Sequence, residues 1–279
     1  MNIRNLEGFK VYILESLCSG DRKTGEDLKD ILRQMSVDKK LSLSDFDYQY
    51  ISISNKEEFL TALATIETEA VHSNNKWPII QVECHGSIKG EGLVLSSREN
   101  VCWKDLFDSL RTINIASSNL LMLNLSMCFG DTVIRYIDPQ KRAPFRGVTF
   151  TQGKAYPEQL EKAWSNFYTG ITDTSKEYGF SNLAHDSDLL YISQDFIFDC
   201  YFDLANQDPE LFEQLRNKEL AEMCKEEGLL YMDSKSYKKW VAHRHAQIKE
   251  KFRPIFCFDD LKPLHKSTYE EMREKGDIQ

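Results

Sequence analysis

Two residues have the types and setting of a nucleophile and its base. His85 closes one apolar run, Trp77 to Cys84 (WPIIQVEC), and Cys128 closes another, Leu120 to Met127 (LLMLNLSM). A thiolate is a strong nucleophile, and an imidazole beside it can take the thiol proton and later hand one to a leaving group. Gly86 and Gly130, which follow these residues, let a substrate backbone approach and free amide donors for an oxyanion. Cys128 also precedes DTVIRYI, read as a short helix whose amino-terminal dipole favours a thiolate.

Plainer readings compete with each feature. A cysteine at the end of a buried strand is commonly packing, and Cys84 is read that way because successive strand residues point to opposite faces. A cysteine phosphatase places five residues between its cysteine and arginine. Here Cys128 and Arg135 have six between them, with Asp131 where a phosphate would be repelled. His243 and His245, at i and i+2, face different sides of a helix and do not make a zinc pair. No glycine-rich phosphate loop opens the first helix, which disfavours nucleotide chemistry. The basic stretch from Lys235 to Arg253 reads as a solvated face.

The elements that must position these residues alternate regularly. Val11 to Leu17 is a strand, Cys18 to Lys23 a loop, and Thr24 to Met35 a helix with Leu28, Ile31, Leu32 and Met35 on one face. A strand at Asp47 to Ile53 precedes a helix entered through a Ser54/Glu57 capping box, with Phe59, Leu60, Leu63 and Ile66 inward. The third run, a short hairpin at GLVLSS, the helix WKDLFDSLRTI, the fourth run, a strand at Phe145 to Thr151 and a helix at Tyr156 to Ile171 complete the series. Parallel strands need crossovers, so the fold class is α/β: a three-layer sandwich with a mainly parallel central sheet. Ligands of such sheets sit outside the carboxyl ends of the strands, where strand order reverses. Residues 1–171 form this domain, 172–188 a polar linker, and 189–279 a helical appendage docked on the sheet through Tyr191, Phe196, Phe198, Tyr201 and Phe202. Pro209 is expected to start one of its helices and Tyr237 to Phe252 to form another.

The 279 residues, 41% hydrophobic and 28% charged, can bury a substantial core, as one large domain or a medium one with an appendage. A net charge of −9 argues against a protein that coats nucleic acid. No stretch is apolar for the ~18 residues a membrane span needs, and MNIRNLEGFKVYILES carries charges where a signal peptide has its apolar region. A cytoplasmic setting follows, in which the seven cysteines, lacking CxxC pairs, are thiols.

An apolar block ending in His-Gly, followed by an apolar block ending in small residues and Cys, resembles the caspase-like cysteine peptidases, which include caspases, legumains, clostripain-like enzymes and separases. The order HGSIKGEGLVLS, WKDLFDSL, NLLMLNLSMCFG, GVTFTQGKAYPEQLEKAWSNFYTGI is most similar to the CHAT group, caspase-like domains common in bacteria. The likeness covers about residues 10 to 171. It implies a cysteine endopeptidase acting on a protein substrate without metal or organic cofactor, with His85 the catalytic imidazole, Cys128 the nucleophile that forms a thioester with the substrate acyl group, and the backbone N–H groups of Gly86 and Cys128 the oxyanion donors. It also implies an enzyme latent until a separate activator binds, in a stress, cell-death or antiviral circuit, with residues 172–279 as the docking region. Asp138 to Pro144 occupies the place of a processing loop cut at Lys141 or Arg142.

Selectivity departs from the family pattern. DRKTGEDLKDIL is similar to the caspase segment that supplies a pocket arginine, which would be Arg22. Caspases carry Gln two residues before the nucleophile, where this chain has Ser126. A second arginine is expected in the later strand, where Thr149, Thr151 and Gln152 stand. Asp21 or Asp131 would instead attract a basic side chain, so the preferred residue stays open. A catalytically silent caspase-like scaffold, binding protein partners through its helical end, is the alternative function.

Overall fold

A computed structural model describes residues 8–39, 41, 46–72, 76–172, 180–207, 246–247 and 249–259. In chain order the elements are β1 (Phe9–Ser16), α1 (Thr24–Asp38), β2 (Phe46–Ser52), α2 (Lys56–His72), β3 (Trp77–Gly86), β4 (Gly92–Val94) and β5 (Asn100–Cys102). There follow α3 (Trp103–Ala116), β6 (Met122–Ser126), a 3₁₀ segment (Gly130–Tyr136), β7 (Gly147–Phe150), α4 (Pro157–Ile171), α5 (Phe180–Asp186), β8 (Leu190–Ser193) and α6 (Gln194–Gln207). The sheet runs β2-β1-β3-β6-β7-β8. Its first five strands are parallel, and β8 is antiparallel to β7. This is the α/β architecture with a mainly parallel central sheet that the alternating runs predict.

Period-2 alternation divides the strand side chains between two helical layers. Val11, Ile13, Ile79 and Met122 join one core cluster with Leu28 and Leu32 of α1 and Leu160, Trp164, Phe167 and Tyr168 of α4. The alternate residues Tyr12, Leu14, Ile80, Val82, Leu123 and Leu125 are also buried. They face the other layer, where right-handed crossovers put α2 and α3, which pack on each other. Burial on both faces is why these strands read as continuous apolar runs. Phe180 of α5 stacks on Trp77 at 5.9 Å and on Tyr191 of β8 at 6.0 Å.

Several local details differ from the sequence reading. The N-cap of α2 is Asn55: its side-chain oxygen accepts the Glu58 N–H at 2.9 Å, and Glu58 accepts the Ser54 N–H at 2.7 Å. The box therefore sits one residue later than Ser54/Glu57, because the helix itself starts at Lys56. DTVIRYI is a 3₁₀ segment, entered through Phe129 in the left-handed conformation (φ 60°), so it lacks the dipole of a regular helix. The aromatic segment opens with β8, a strand of the sheet, before turning helical at Gln194.

The chain divides into two compact units, Met1–Ile137 with Pro144–Ser193, and Asp138–Ala143 with Gln194–Gln279. The first unit thus extends past the expected boundary at 172–188, since α5 and β8 add to its core and sheet. In the second unit Arg253 pairs with Asp199 at 3.0 Å and Asp195 at 3.2 Å, and Lys249 pairs with Asp199 at 3.0 Å. Part of the basic stretch is therefore neutralised by α6. Arg142 lies over the Phe258 ring at 4.9 Å, and the Ala143 N–H donates to Phe256 O at 3.2 Å. Pro209, His243, His245 and most of the segment from Tyr237 lie outside the described residues.

Candidate active site

β3 and β6 are adjacent and parallel, in a register that pairs Glu83 with Ser126. Carried two residues further, that register sets His85 opposite Cys128. The two segments touch there: a Cβ built on Gly86 would lie 1.9 Å from the Cys128 carbonyl oxygen. Only glycine lets the strand end of β3 pack on the turn that carries the sulfur. Phe129, next to the cysteine, holds that turn sharp, and its N–H donates to Gly153 O at 2.7 Å. A side chain other than glycine in this conformation costs roughly 1–2 kcal/mol.

The imidazole is exposed and its Nε2 lies 2.9 Å from Asp21 Oδ2, in the loop between β1 and α1. The same oxygen accepts the Cys18 N–H at 2.8 Å. The hydrogen bond to His85 is the largest influence on the Asp21 carboxyl and holds it below the usual aspartate range. The Cys128 sulfur accepts the Ala155 N–H at 3.4 Å, from the loop after β7. Among the described residues no hydrogen bond joins the imidazole to the sulfur, and the Cys128 N–H has no acceptor. A cavity of about 570 Å³ lies beside the imidazole, lined by His85, Gly86, Ile88, Lys89, Arg98 and Cys102 among others. Cys128 does not line it.

Two residues inward, on the same face, lies a buried polar layer. Glu83 accepts the Thr24 hydroxyl at 2.7 Å and the Gln81 amide at 2.8 Å. The Gln81 amide also reaches the Ser126 hydroxyl at 3.3 Å, and Tyr168 donates to Gln81 at 2.8 Å. Glu15 accepts the Gly25 N–H at 2.7 Å and the Tyr50 hydroxyl at 2.7 Å, capping α1. Burial pushes the Glu83 carboxyl up to about 7, against its hydrogen bonds to Thr24, Ser126 and Gln81, and the nearby Glu15 charge adds to the rise.

The sequence-derived pocket residues fare differently from one another. Arg22 is paired with Asp27 at 2.9 Å, with Glu161, and more loosely with Glu158 at 3.9 Å. In this structure its guanidinium is met by acids of α1 and α4. Ser126 is buried in the polar layer, Gln152 is exposed, and Thr151 is half-buried with its hydroxyl unpartnered. Asp21 is taken by His85. Cys84 is buried at 4% exposure, and burial pushes its thiol pKa up, as a packing residue requires. Sequence reasoning missed Glu83, Glu15 and the Ala155 N–H. The alternation Glu83-Cys84-His85 does carry a signal for the first, since it sets the carboxylate and the imidazole on one face.

Among the described residues no group of three or more His, Cys, Asp or Glu side chains is placed to hold a metal ion, and no helix is long and apolar enough to cross a membrane. No family model and no curated protein matches the chain. Among solved structures it is similar to the Drosophila initiator caspase Dronc, with a TM-score of 0.47 and 11% identity over 64% of this chain and 70% of that one. It is also similar to drICE, with a TM-score of 0.41 and 12% identity over 68% of this chain and 89% of that one.

Proposed function

We propose that the chain is a caspase-like cysteine endopeptidase, with Cys128 as nucleophile and His85 as its acid–base partner. The observation that carries this reading is the convergence of His85-Gly86 and Cys128 at the carboxyl ends of adjacent parallel strands. In the reaction the thiol proton passes to the imidazole and the sulfur attacks the amide carbonyl carbon. The C–N bond then breaks as the imidazolium protonates the leaving amine, and water hydrolyses the resulting thioester, its proton passing through His85. The Cys128 N–H, which has no acceptor among the described residues, is assigned as one donor for the oxyanion, and the Gly86 N–H as the second. The ordered segments from HGSIKGEGLVLS to GVTFTQGKAYPEQLEKAWSNFYTGI favour the CHAT group within this class, and with it a latent enzyme released by a separate protein.

Cleavage-site mapping in a peptide library, with Cys128→Ala as control, tests the assignment. The expected outcome is hydrolysis that the substitution abolishes, and turnover unchanged by it refutes the reading. The alternative, a catalytically silent scaffold of the same fold, draws on the imidazole and the sulfur each bonding elsewhere. An electrophilic peptide probe that labels Cys128 excludes it.

A further inference from the structure

We infer that Asp21 is a positioning residue for His85, so that the site works as a Cys-His-Asp triad rather than a dyad; this rests on the peptidase reading above. The first observation is the 2.9 Å contact between Asp21 Oδ2 and His85 Nε2. The second is the way the carboxylate is held. Its Oδ2 accepts the Cys18 N–H at 2.8 Å, while the Asp21 N–H donates back to Cys18 O at 3.0 Å. Both ends of a tight turn therefore fix the acceptor before the imidazole meets it.

The chemistry follows from donor and acceptor roles. An ionised carboxylate has only acceptors, and Asp21 is kept ionised by this bond. Nε2 must then carry hydrogen, which leaves Nδ1 as the bare nitrogen of the neutral ring. Nδ1 is the atom that takes the thiol proton, and the resulting imidazolium keeps its Nε2–H on a negative charge. Asp21 itself neither gains nor loses a proton. Its place is set by register: β1 and β3 pair in parallel with Ser16 opposite Cys84, so the loop that leaves β1 starts beside the end of β3 that carries His85. Asp21 is thereby withdrawn from the substrate-binding role that its charge suggests in sequence.

Kinetics and ring NMR on Asp21→Asn and Asp21→Ala test the assignment. Removing the aspartate of a buried triad costs about 10⁴-fold. Here the carboxylate side chain is 33% and the imidazole 45% exposed, and solvent screening reduces the expected loss in kcat to roughly 10- to 100-fold, with KM within twofold. Ring ¹⁵N shifts should show an Nε2–H tautomer in the wild type and a mixture in Asp21→Ala. Unchanged kcat in both variants, or a raised KM for basic peptides with kcat intact, overturns the triad while Cys128→Ala still reports on the peptidase. If the wild type has no turnover, the peptidase reading fails and the ring spectrum still decides: an Nδ1–H tautomer, or identical tautomers in wild type and Asp21→Ala, refutes the positioning role.

Discussion

Glu83→Gln should remove a pH dependence from the stability of the first unit. The carboxyl sits among Thr24, Gln81, Ser126, Tyr168 and Glu15 with no cation beside it among the described residues, and its pKa is raised from 4.5 to about 7. A folded-state value above the unfolded one means that the native state binds the extra proton between those limits. The stabilisation is thus complete below pH 4.5 and lost as pH rises towards 7. At 1.36 kcal/mol per pH unit, the loss is roughly 3 kcal/mol. Glutamine keeps the shape and an acceptor for Thr24 but does not titrate. Thermal or urea unfolding of both proteins from pH 4 to 8 should therefore diverge with rising pH, Glu83→Gln gaining about 3 kcal/mol, or on the order of 5–10 °C in melting temperature. Parallel curves for the two proteins refute a buried, cation-free Glu83.

Two other substitutions probe the site. Gly86→Ala forces a methyl into the Cys128 carbonyl, so the turn carrying the sulfur must move by more than an ångström. Activity should fall at least 10²-fold and stability by about 1–3 kcal/mol, whereas Gly20→Ala, with nothing within 4 Å of the new methyl, should change neither; assays of peptide turnover and melting check both. Arg22→Ala should leave the ratio of cleavage rates on aspartyl and non-acidic peptides within twofold, because that guanidinium is already paired with Asp27 and Glu161. A collapse of aspartate cleavage in Arg22→Ala restores it to the pocket.

The layered architecture, and the candidate pair His85 and Cys128, are legible along the chain. Burial on both faces writes parallel strands as apolar runs, such as WPIIQVEC and LLMLNLSM, and helical faces repeat at i, i+3 and i+4, so each element leaves a local trace. The types of His85 and Cys128, and their place at strand ends, are local facts too. Their alignment is not, because it depends on β3 lying beside β6 in the register that pairs Glu83 with Ser126. What each charge meets is chosen by packing between distant segments: Asp21 on the imidazole, Arg22 on the acids of α1 and α4, and Glu83 with no cation among the described residues. Likewise β8, a short antiparallel strand, is legible only once β7 offers it an edge. Hydrophobic periodicity is a property of neighbours along the chain, whereas the partner of a buried or loop charge is chosen by segments far apart in sequence.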